Sequence, residues 1–559
     1  MDRHVTNVEN RSTIHDRRWY VLVVLVICVL LITLDNTILN VALTTMQHEL
    51  NASHGDLQWA VDAYVLVFAG LLFSWGVLGD RFGRRRILLI GLLIYGAAST
   101  LCAFSDSPGQ LIATRALMGV GAGAVMPQTL SVITNVFEPR ERGRAIGVWA
   151  GLSGQALAIG PVTGGFLLEH FWWGSVFLIN LPLVALGLVA TLLLVPESRD
   201  PSPGTLDPAG ALLSTAGLVL LVYGIITGGH TNDWGSLHVA GAMLSGGALL
   251  TAFVLMQRRS PHPALDVTLF RNPQFSAAAV AVGLAFFGLM GVLFYLSFYL
   301  QAVRDYGPLR AGLCLVAVAA ALVIAAPRSA ALAQRFGAKL VCGIGLAVAA
   351  TCFGLYFFVQ PDTPLWVIEV LLFVHGLGMG NVVAPATNAI MGAIPREKAG
   401  AGAAANAAFR QIGGALGVAI LGSLLAAAYR RRLGSAAEAL PADLRGADSA
   451  DSIGGTLAAV GRTAEAIQHG QLPAQAAATL PGVRDAATDA FMHAMHVTSL
   501  GAAVAALTGA VVALVFLPGR QEMRHRHAAE QRAHEAACRR PIIVRTVRAP
   551  VVDSGGNVQ

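Results

Sequence analysis

Charge is what this chain has least of. Only 13% of its 559 residues are Asp, Glu, Lys or Arg, about half of the ~25% that a soluble domain carries. Lysine occurs twice, at Lys339 and Lys398. Cysteines 28, 102, 314, 342, 352 and 538 are scattered, with no CxxC pair and no ligand spacing; this excludes a disulfide scaffold and a cysteine-built metal site and leaves them as small packing residues. The chain contains no GxxxxGK[ST] loop, no HExxH and no GxSxG. Nucleotide hydrolysis, zinc proteolysis and serine-hydrolase chemistry therefore lack the residues they need. We expect no enzyme, no metal, no cofactor and no nucleic-acid partner.

What is abundant is apolar. Hydrophobic residues make up 55% of the chain and the mean hydropathy is +0.62. Apolar runs fall near 19–43, 57–79, 87–104, 109–133, 144–168, 174–195, 207–228, 236–257, 274–302, 310–333, 339–359, 365–393, 403–428 and 490–517. Most reach the ~18–20 residues a helix needs to cross a bilayer. The expectation is an all-α integral membrane protein with fourteen transmembrane helices. The polar N-terminus 1–18 and the length of the first run speak against a cleaved signal. Heavy use of Arg, Ala and Gly in place of Lys points to a GC-rich bacterial genome, and so to a bacterial inner membrane.

The connections sort by charge. One set contains RFGRRR, EPRERGR, PESRD, QRRS with FRN, QRFGAK and PREKAG; the other contains ASHGD, SDSPG, HTNDWGS and QPDTP. Basic loops stay cytoplasmic, which puts both termini inside. The stretch 429–489, rich in Ala, Gly and Ser, is read as an external linker. The basic, His-rich tail 518–559 suits anionic headgroups better than a metal ion.

The chain also repeats itself. VLGDRFGRRRILLIGL at 77–92 matches ALAQRFGAKLVCGIGL at 331–346, GVGAG at 119–123 matches GLGMG at 376–380, and PRERG at 139–143 matches PREKA at 395–399. Duplication implies two six-helix bundles, 19–195 and 274–517, with two inserted central helices over 207–257. Parallel duplicated halves are a layout of rocking secondary transporters, with the substrate site between them. The copies diverge at charges: Asp80 is matched by Gln334 and Arg115 by Leu372.

GVLGDRFGRRR (76–86) resembles the loop signature of the major facilitator superfamily. LDNTILNVAL (34–43), LIATRALMGVGAG (111–123), GPVTGG (160–165) and WWGSVFLINLP (172–182) resemble its fourteen-span drug/proton antiporters, the EmrB/QacA-like exporters. Thr44 stands where that first-helix motif ends in Pro, and Ala156 replaces the first Gly of GxxxGPxxGG. The resemblance implies a proton-driven exporter of amphipathic toxic compounds or antibiotics, including cationic ones, powered by the proton-motive force and working as a monomer. The alternatives are a same-fold exporter of a metabolite or lipid, a proton-coupled nutrient symporter, or a receptor or scaffold without flux.

Asp35, the only charge inside the first span, is expensive to bury ionised, at about 2.5–3.5 kcal/mol or more. It is expected to pair, face water or carry a proton. Arg115, at comparable depth in the fourth span, is its expected partner, and the resemblance assigns the pair to proton coupling. Asp62, with Tyr64 and Trp59 offering π faces, is a candidate for binding substrate. So are the polar Asn36 and Asn40 and, on the twelfth span, Glu369; His375 there is a weaker candidate. Gly76 and Gly79 allow close packing, Gly83 allows a tight turn, and Arg81, Arg84 and Arg85 hold the loop in the cytoplasm. The resemblance places Asp80 at the N-terminus of the eleventh span when the protein faces outward. Gly160, Pro161, Gly164 and Gly165 contribute shape alone, and Arg410 in AAFRQIGG has no assigned role.

Overall fold

The computed structural model describes residues 2–199, 207–231, 233–260, 267–394, 399–439, 450, 452–469, 471 and 474–519. The tail from Arg520 and the repeat copy at 395–398 lie outside them, as does the side chain of Ala156. The described residues are mostly helical, with no strand among them. The first half comprises α1 (Asp2–Glu49), α2 (His54–Phe82), α3 (Arg84–Ala103), α4 (Pro108–Val136), α5 (Pro139–His170), the short α6 (Ser175–Leu178) and α7 (Asn180–Leu194). Then come α8 (Pro208–Thr231) and α9 (Leu237–Arg259), followed by the second half: α10 (Pro273–Phe298), α11 (Pro308–Phe336), α12 (Ala338–Leu355), α13 (Leu365–Gly392), α14 (Ala399–Leu433), α15 (Ile453–Gln468) and α16 (Leu480–Phe516).

Thirteen spans among the described residues are long and apolar enough to cross a bilayer, α6 and α7 together forming one of them. The remaining expected span, 144–168, falls within the 32-residue α5. Helix starts follow local chemistry. Ser53 and Asp56 form a reciprocal capping box on α2, and Ser107 caps α4 ahead of Pro108, satisfying first-turn N–H groups that have no partner within the helix.

Duplication is visible in the backbone. Gly83 between α2 and α3 has φ +115°, and its repeat counterpart Gly337 between α11 and α12 has φ +92°. Side chains rarely adopt such angles, so both RFG turns require their glycine. The helices after each turn also cross alike. A methyl group at Gly121 would stand 2.9 Å from the carbonyl oxygen of Gly91, and one at Gly378 would stand 2.7 Å from that of Gly345. Within a bilayer, helices gain from close backbone approach at small residues, because lipid supplies no hydrophobic drive between them.

The inserted pair lies against the seam. Gly70 of α2 packs on Thr215 of α8, and Ser423 of α14 donates to the Ile225 carbonyl of α8 at 3.1 Å. α8 thus touches both halves, while α9 packs on α8 and leaves Leu237 and Leu244 exposed.

The halves meet at the end that carries the α1–α2 turn, called here the arginine-poor end. There Gln301, in the short helical turn Tyr299–Val303 that follows α10, accepts from Thr44 of α1 at 2.5 Å and donates to the Val41 carbonyl at 3.0 Å. Gln58 of α2 donates to the Val418 carbonyl of α14 at 3.1 Å. At the opposite, arginine-rich end, residues 73–78 of α2 are all partly exposed whichever way they point. No hydrogen bond among the described residues joins the halves there. Among the described residues the halves are thus bonded at the arginine-poor end and not at the other, where this length of α2 is uncovered.

The stretch 429–489 departs from a plain linker. α14 runs on to Leu433, α16 begins at Leu480, and α15 lies between them. α15 buries Ile453, Thr456, Ala459, Thr463 and Ala466, a one-sided stripe at helical spacing. Ser452 before it accepts from Gln47 of α1 at 2.8 Å, and Thr456 meets the Tyr429 hydroxyl at 2.6 Å. The Ala-rich composition concealed this pattern, because small residues bury a face without a strong hydropathy signal.

Candidate functional site

The first half holds a buried polar cluster built around α1. Asp35 is 2% exposed and Arg115 of α4 is 0% exposed. The Arg115 Nη1 donates to Asp35 Oδ2 at 2.6 Å. The other carboxylate oxygen accepts from Asn180 Nδ2 at 3.2 Å, and the same amide reaches Ser99 Oγ at 3.0 Å. Arg115 Nε donates to the Ala60 carbonyl of α2 at 2.9 Å, and its guanidinium lies 4.4 Å from the centre of the Tyr64 ring.

One ion pair thus ties α1 to α4, with α2, α3 and α7 supplying the surrounding groups. Both charges are out of water. Removing one partner of such a pair costs about 3–5 kcal/mol, because the survivor is left buried and uncompensated. Neutralising the carboxylate by a proton instead frees the guanidinium from its strongest bond. Asn180 and Ser99 were not singled out from sequence. The available signal was an amide interrupting FLINLP at a helix start, where capping is the ordinary explanation.

The candidate substrate residues do not form one cluster. Tyr64 belongs to the Arg115 site. Trp59 sits 6.2 Å from Tyr223 of α8. Asn36 and Asn40 each donate to a carbonyl one turn back on α1, and Asn40 with Thr37 lines a small void between the halves, completed by Pro161, Leu293, Leu315 and Val318. Glu369 is half-buried near the start of α13. His375 is buried against Phe353, with no partner for either ring nitrogen.

Asp62 stands apart. It is 0% exposed and neither carboxyl oxygen has a hydrogen-bond partner. One turn before it on α2, Gln58 bonds to α14 across the seam, so Asp62 points along the stripe where the halves touch.

The loop residues knit the first half together. Asp80 Oδ1 accepts from Arg84 Nε at 2.9 Å and Nη2 at 2.7 Å, while Arg84 Nη1 reaches the Ser131 carbonyl at 3.3 Å. The Arg85 amide donates to Glu197 Oε1 at 3.2 Å, and a methyl group at Gly83 would stand 2.6 Å from that oxygen. Arg81 lies over Phe82. Gly79 packs against Gln128 of α4, whereas Gly76 meets only Pro127 at ordinary distance. Asp80 bonds within its own loop and, among the described residues, not to the start of α12.

Asp80→Asn removes a partly exposed i,i+4 pair, with side chains 15% and 30% accessible, worth about 1 kcal/mol. The expected result is a melting temperature shifted by no more than a few degrees in thermal unfolding of the purified protein. A larger drop would mean that the pair holds up the fold.

GPVTGG divides its contacts between the halves. Gly160 and Gly164 lie against Thr37 and Ile38 of α1, while Gly165 meets the backbone of Pro308 and Leu309, and the Pro161 carbonyl meets Gly312 of α11. The motif is the place where α5 and α11 touch backbone to backbone. No group of three or more His, Cys, Asp or Glu suited to a metal occurs among the described residues.

Comparison with known proteins places this geometry. The family model described as Major Facilitator Superfamily matches residues 25–418. The multidrug efflux pump LfrA of Mycolicibacterium smegmatis is 36% identical over 497 residues, covering 89% of this chain and 95% of its own length. The methyl viologen resistance protein SmvA of Salmonella typhimurium is 34% identical over 490 residues, covering 87% and 96%. A solved bacterial homologue of the human lysosomal transporter Spinster, in an inward-facing and unoccupied conformation, is similar in fold at a TM-score of 0.61 and 18% identity, over 89% of this chain and 98% of its own.

Proposed function

The chain belongs to the Major Facilitator Superfamily, and from that premise we propose that it is a proton-driven exporter of amphipathic toxic compounds. The observation that carries the reading is the Asp35–Arg115 pair, a titratable acid and a permanent cation sealed together inside a bundle that has to rock. The names of the relatives, a multidrug efflux pump and a methyl viologen resistance protein, support drug-like cargo.

In this reading the arginine-rich face is cytoplasmic, as the loop charges favour, both termini lie on that side, and the protein sits in a bacterial inner membrane. The conformation described above then faces inward. Asp35 in its ion pair is the form that has released its proton. Drug enters between the parted halves, the arginine-poor end opens, and Asp35 exchanges its bond to Arg115 for a proton from outside. Arg115 stays charged throughout, so its return to the carboxylate accompanies delivery of the proton to the inside. Asp62, on the seam near the outer end, becomes accessible when the halves part there. It serves as the acid that attracts cationic cargo, with the void beside Thr37 and Asn40 as the closed remnant of the path. Asp80 supports the inner closure of the outward-facing state. One chain contains both halves, so a monomer suffices.

Everted vesicles test the reading. With respiration supplying the gradient, added methyl viologen is expected to be concentrated into the lumen and to release lumenal protons, and a protonophore is expected to abolish both. Accumulation that persists after the gradient has collapsed would refute proton coupling.

A further inference from the structure

Among the described residues, Arg410 is a cation within the bundle that has no counter-charge. Arg410 lies eleven residues into α14, roughly 17 Å from its start at 1.5 Å per residue. Its guanidinium sits 4.5 Å from the centre of the Phe286 ring of α10. It makes no ion pair or hydrogen bond among the described residues, and its Nε is buried without an acceptor. The residue as a whole is partly exposed, so the fork still reaches open space.

The helix geometry says which space. Gly413 and Gly417 of α14 face α10, and Gly422 faces Gln58 of α2. Arg410 falls between these stripes, on the α10 side of the gap between α10 and α2. Toward the arginine-rich end that gap runs beside residues 73–78 of α2, all partly exposed. Neither α10 nor α14 carries any Asp or Glu along its length. On α2, Asp80 is bonded to Arg84 and Asp62 lies in the closed part of the seam. Arg115 is turned into the Asp35 cluster in the other half, and His375 of α13 is sealed against Phe353.

A guanidinium inside a membrane protein normally pairs or binds an anion, and its planar fork matches a carboxylate in two-point contact. We infer that Arg410, backed by Phe286, is an anion-binding site in the space between the halves, and that it accepts the carboxylate of an amphipathic cargo. Phe286 keeps the fork in place and offers an apolar face to whatever the anion is attached to. The inference rests on the exporter reading for calling the anion cargo. A free anion such as chloride would use the same chemistry, and the test separates the two.

The probe is dansyl-phenylalanine, an amphipathic carboxylate, against its neutral amide. Binding is followed by fluorescence to the purified full chain in nanodiscs without any gradient. Wild type is expected to bind the acid at least tenfold more tightly than the amide. Arg410→Gln is expected to erase that ratio while leaving amide affinity within about twofold, and Arg410→Lys is expected to retain part of it. A preference that weakens as chloride replaces gluconate assigns the site to anions generally, whereas one indifferent to chloride assigns it to cargo. Equal binding of acid and amide by wild type would overturn the proposal. So would an unchanged ratio in Arg410→Gln, or equal loss for both probes. If Arg410→Gln is not monodisperse, the lysine variant and the wild-type ratio still decide. Because binding needs no proton gradient, failure of proton-driven export would leave this result standing, and failure here would leave export untouched.

Discussion

Asp35→Asn is expected to reduce gradient-driven export by at least a hundredfold, to the background of an empty membrane, while the protein still inserts. Asparagine has the shape of the aspartate and can still meet Asn180 and Arg115, but it cannot release a proton. Two distinct effects follow. The first is structural: Arg115 keeps its positive charge, is 0% exposed and loses its only carboxylate, a cost of about 3–5 kcal/mol by comparison with other broken buried pairs. The second is functional: no group at this position alternates between two charge states.

A paired substitution separates them. Asp35→Asn with Arg115→Gln removes both charges, so no lone cation is left behind. The double variant is expected to recover several degrees of melting temperature relative to the single one and to recover no export. If export returned with stability, the pair would be a brace between α1 and α4 and nothing more. If Asp35→Asn alone exported normally in a susceptibility panel and in vesicles, the coupling proposed here would be wrong.

Much of this was legible in the amino-acid order, for identifiable reasons. Spans announce themselves because a bilayer demands about twenty apolar residues per crossing, and the RFG repeat at 81–83 and 335–337 reappears as two glycine turns with the same sign of φ. Asp35 and Arg115 stood out because charge is scarce in apolar runs. Asn180 and Ser99 did not, since neutral polar residues are common in such helices and their partners come from three different elements. Trp59, Tyr64 and Asp62 lie close in sequence, yet a helix turns about 100° per residue. One therefore faces α8, one faces Arg115 and one faces the seam. Neither α15 nor the parting of the halves has a hydropathy signature, because both depend on which small residues meet.

Those small residues supply the second large effect. At the arginine-poor end α5 and α11 are in backbone contact. A methyl group on Gly165 would stand 2.5 Å from the Leu309 Cα, and one on Gly312 would run into the Pro161 carbonyl. Neither obstacle is the end of a flexible side chain that could swing away, so a leucine at 312 can be accommodated only if the two helices separate. Overpacking of this kind costs about 1–3 kcal/mol where the surroundings yield, and more where they are backbone. The cost falls only on the conformation closed at this end, and each 1.4 kcal/mol of such bias changes the ratio of two states tenfold.

Gly312→Leu is therefore expected to hold the protein open on the arginine-poor side and to lower export by at least tenfold without unfolding it. Thr44 reports the change. It is buried in the closed end, hydrogen-bonded to Gln301, so Thr44→Cys in a background cleared of the six native cysteines should react slowly with an impermeant maleimide. Adding Gly312→Leu should raise that rate by tenfold or more. Gly247→Leu on α9, where an added Cβ meets nothing within 4 Å, should change neither quantity. If labelling stays slow and export continues in Gly312→Leu, contact between α5 and α11 is not part of the transport cycle. Rapid labelling with export lost would mean that the glycines set how tightly the arginine-poor end can shut. In that case GPVTGG, which has no titratable group, acts on transport through the geometry of closure.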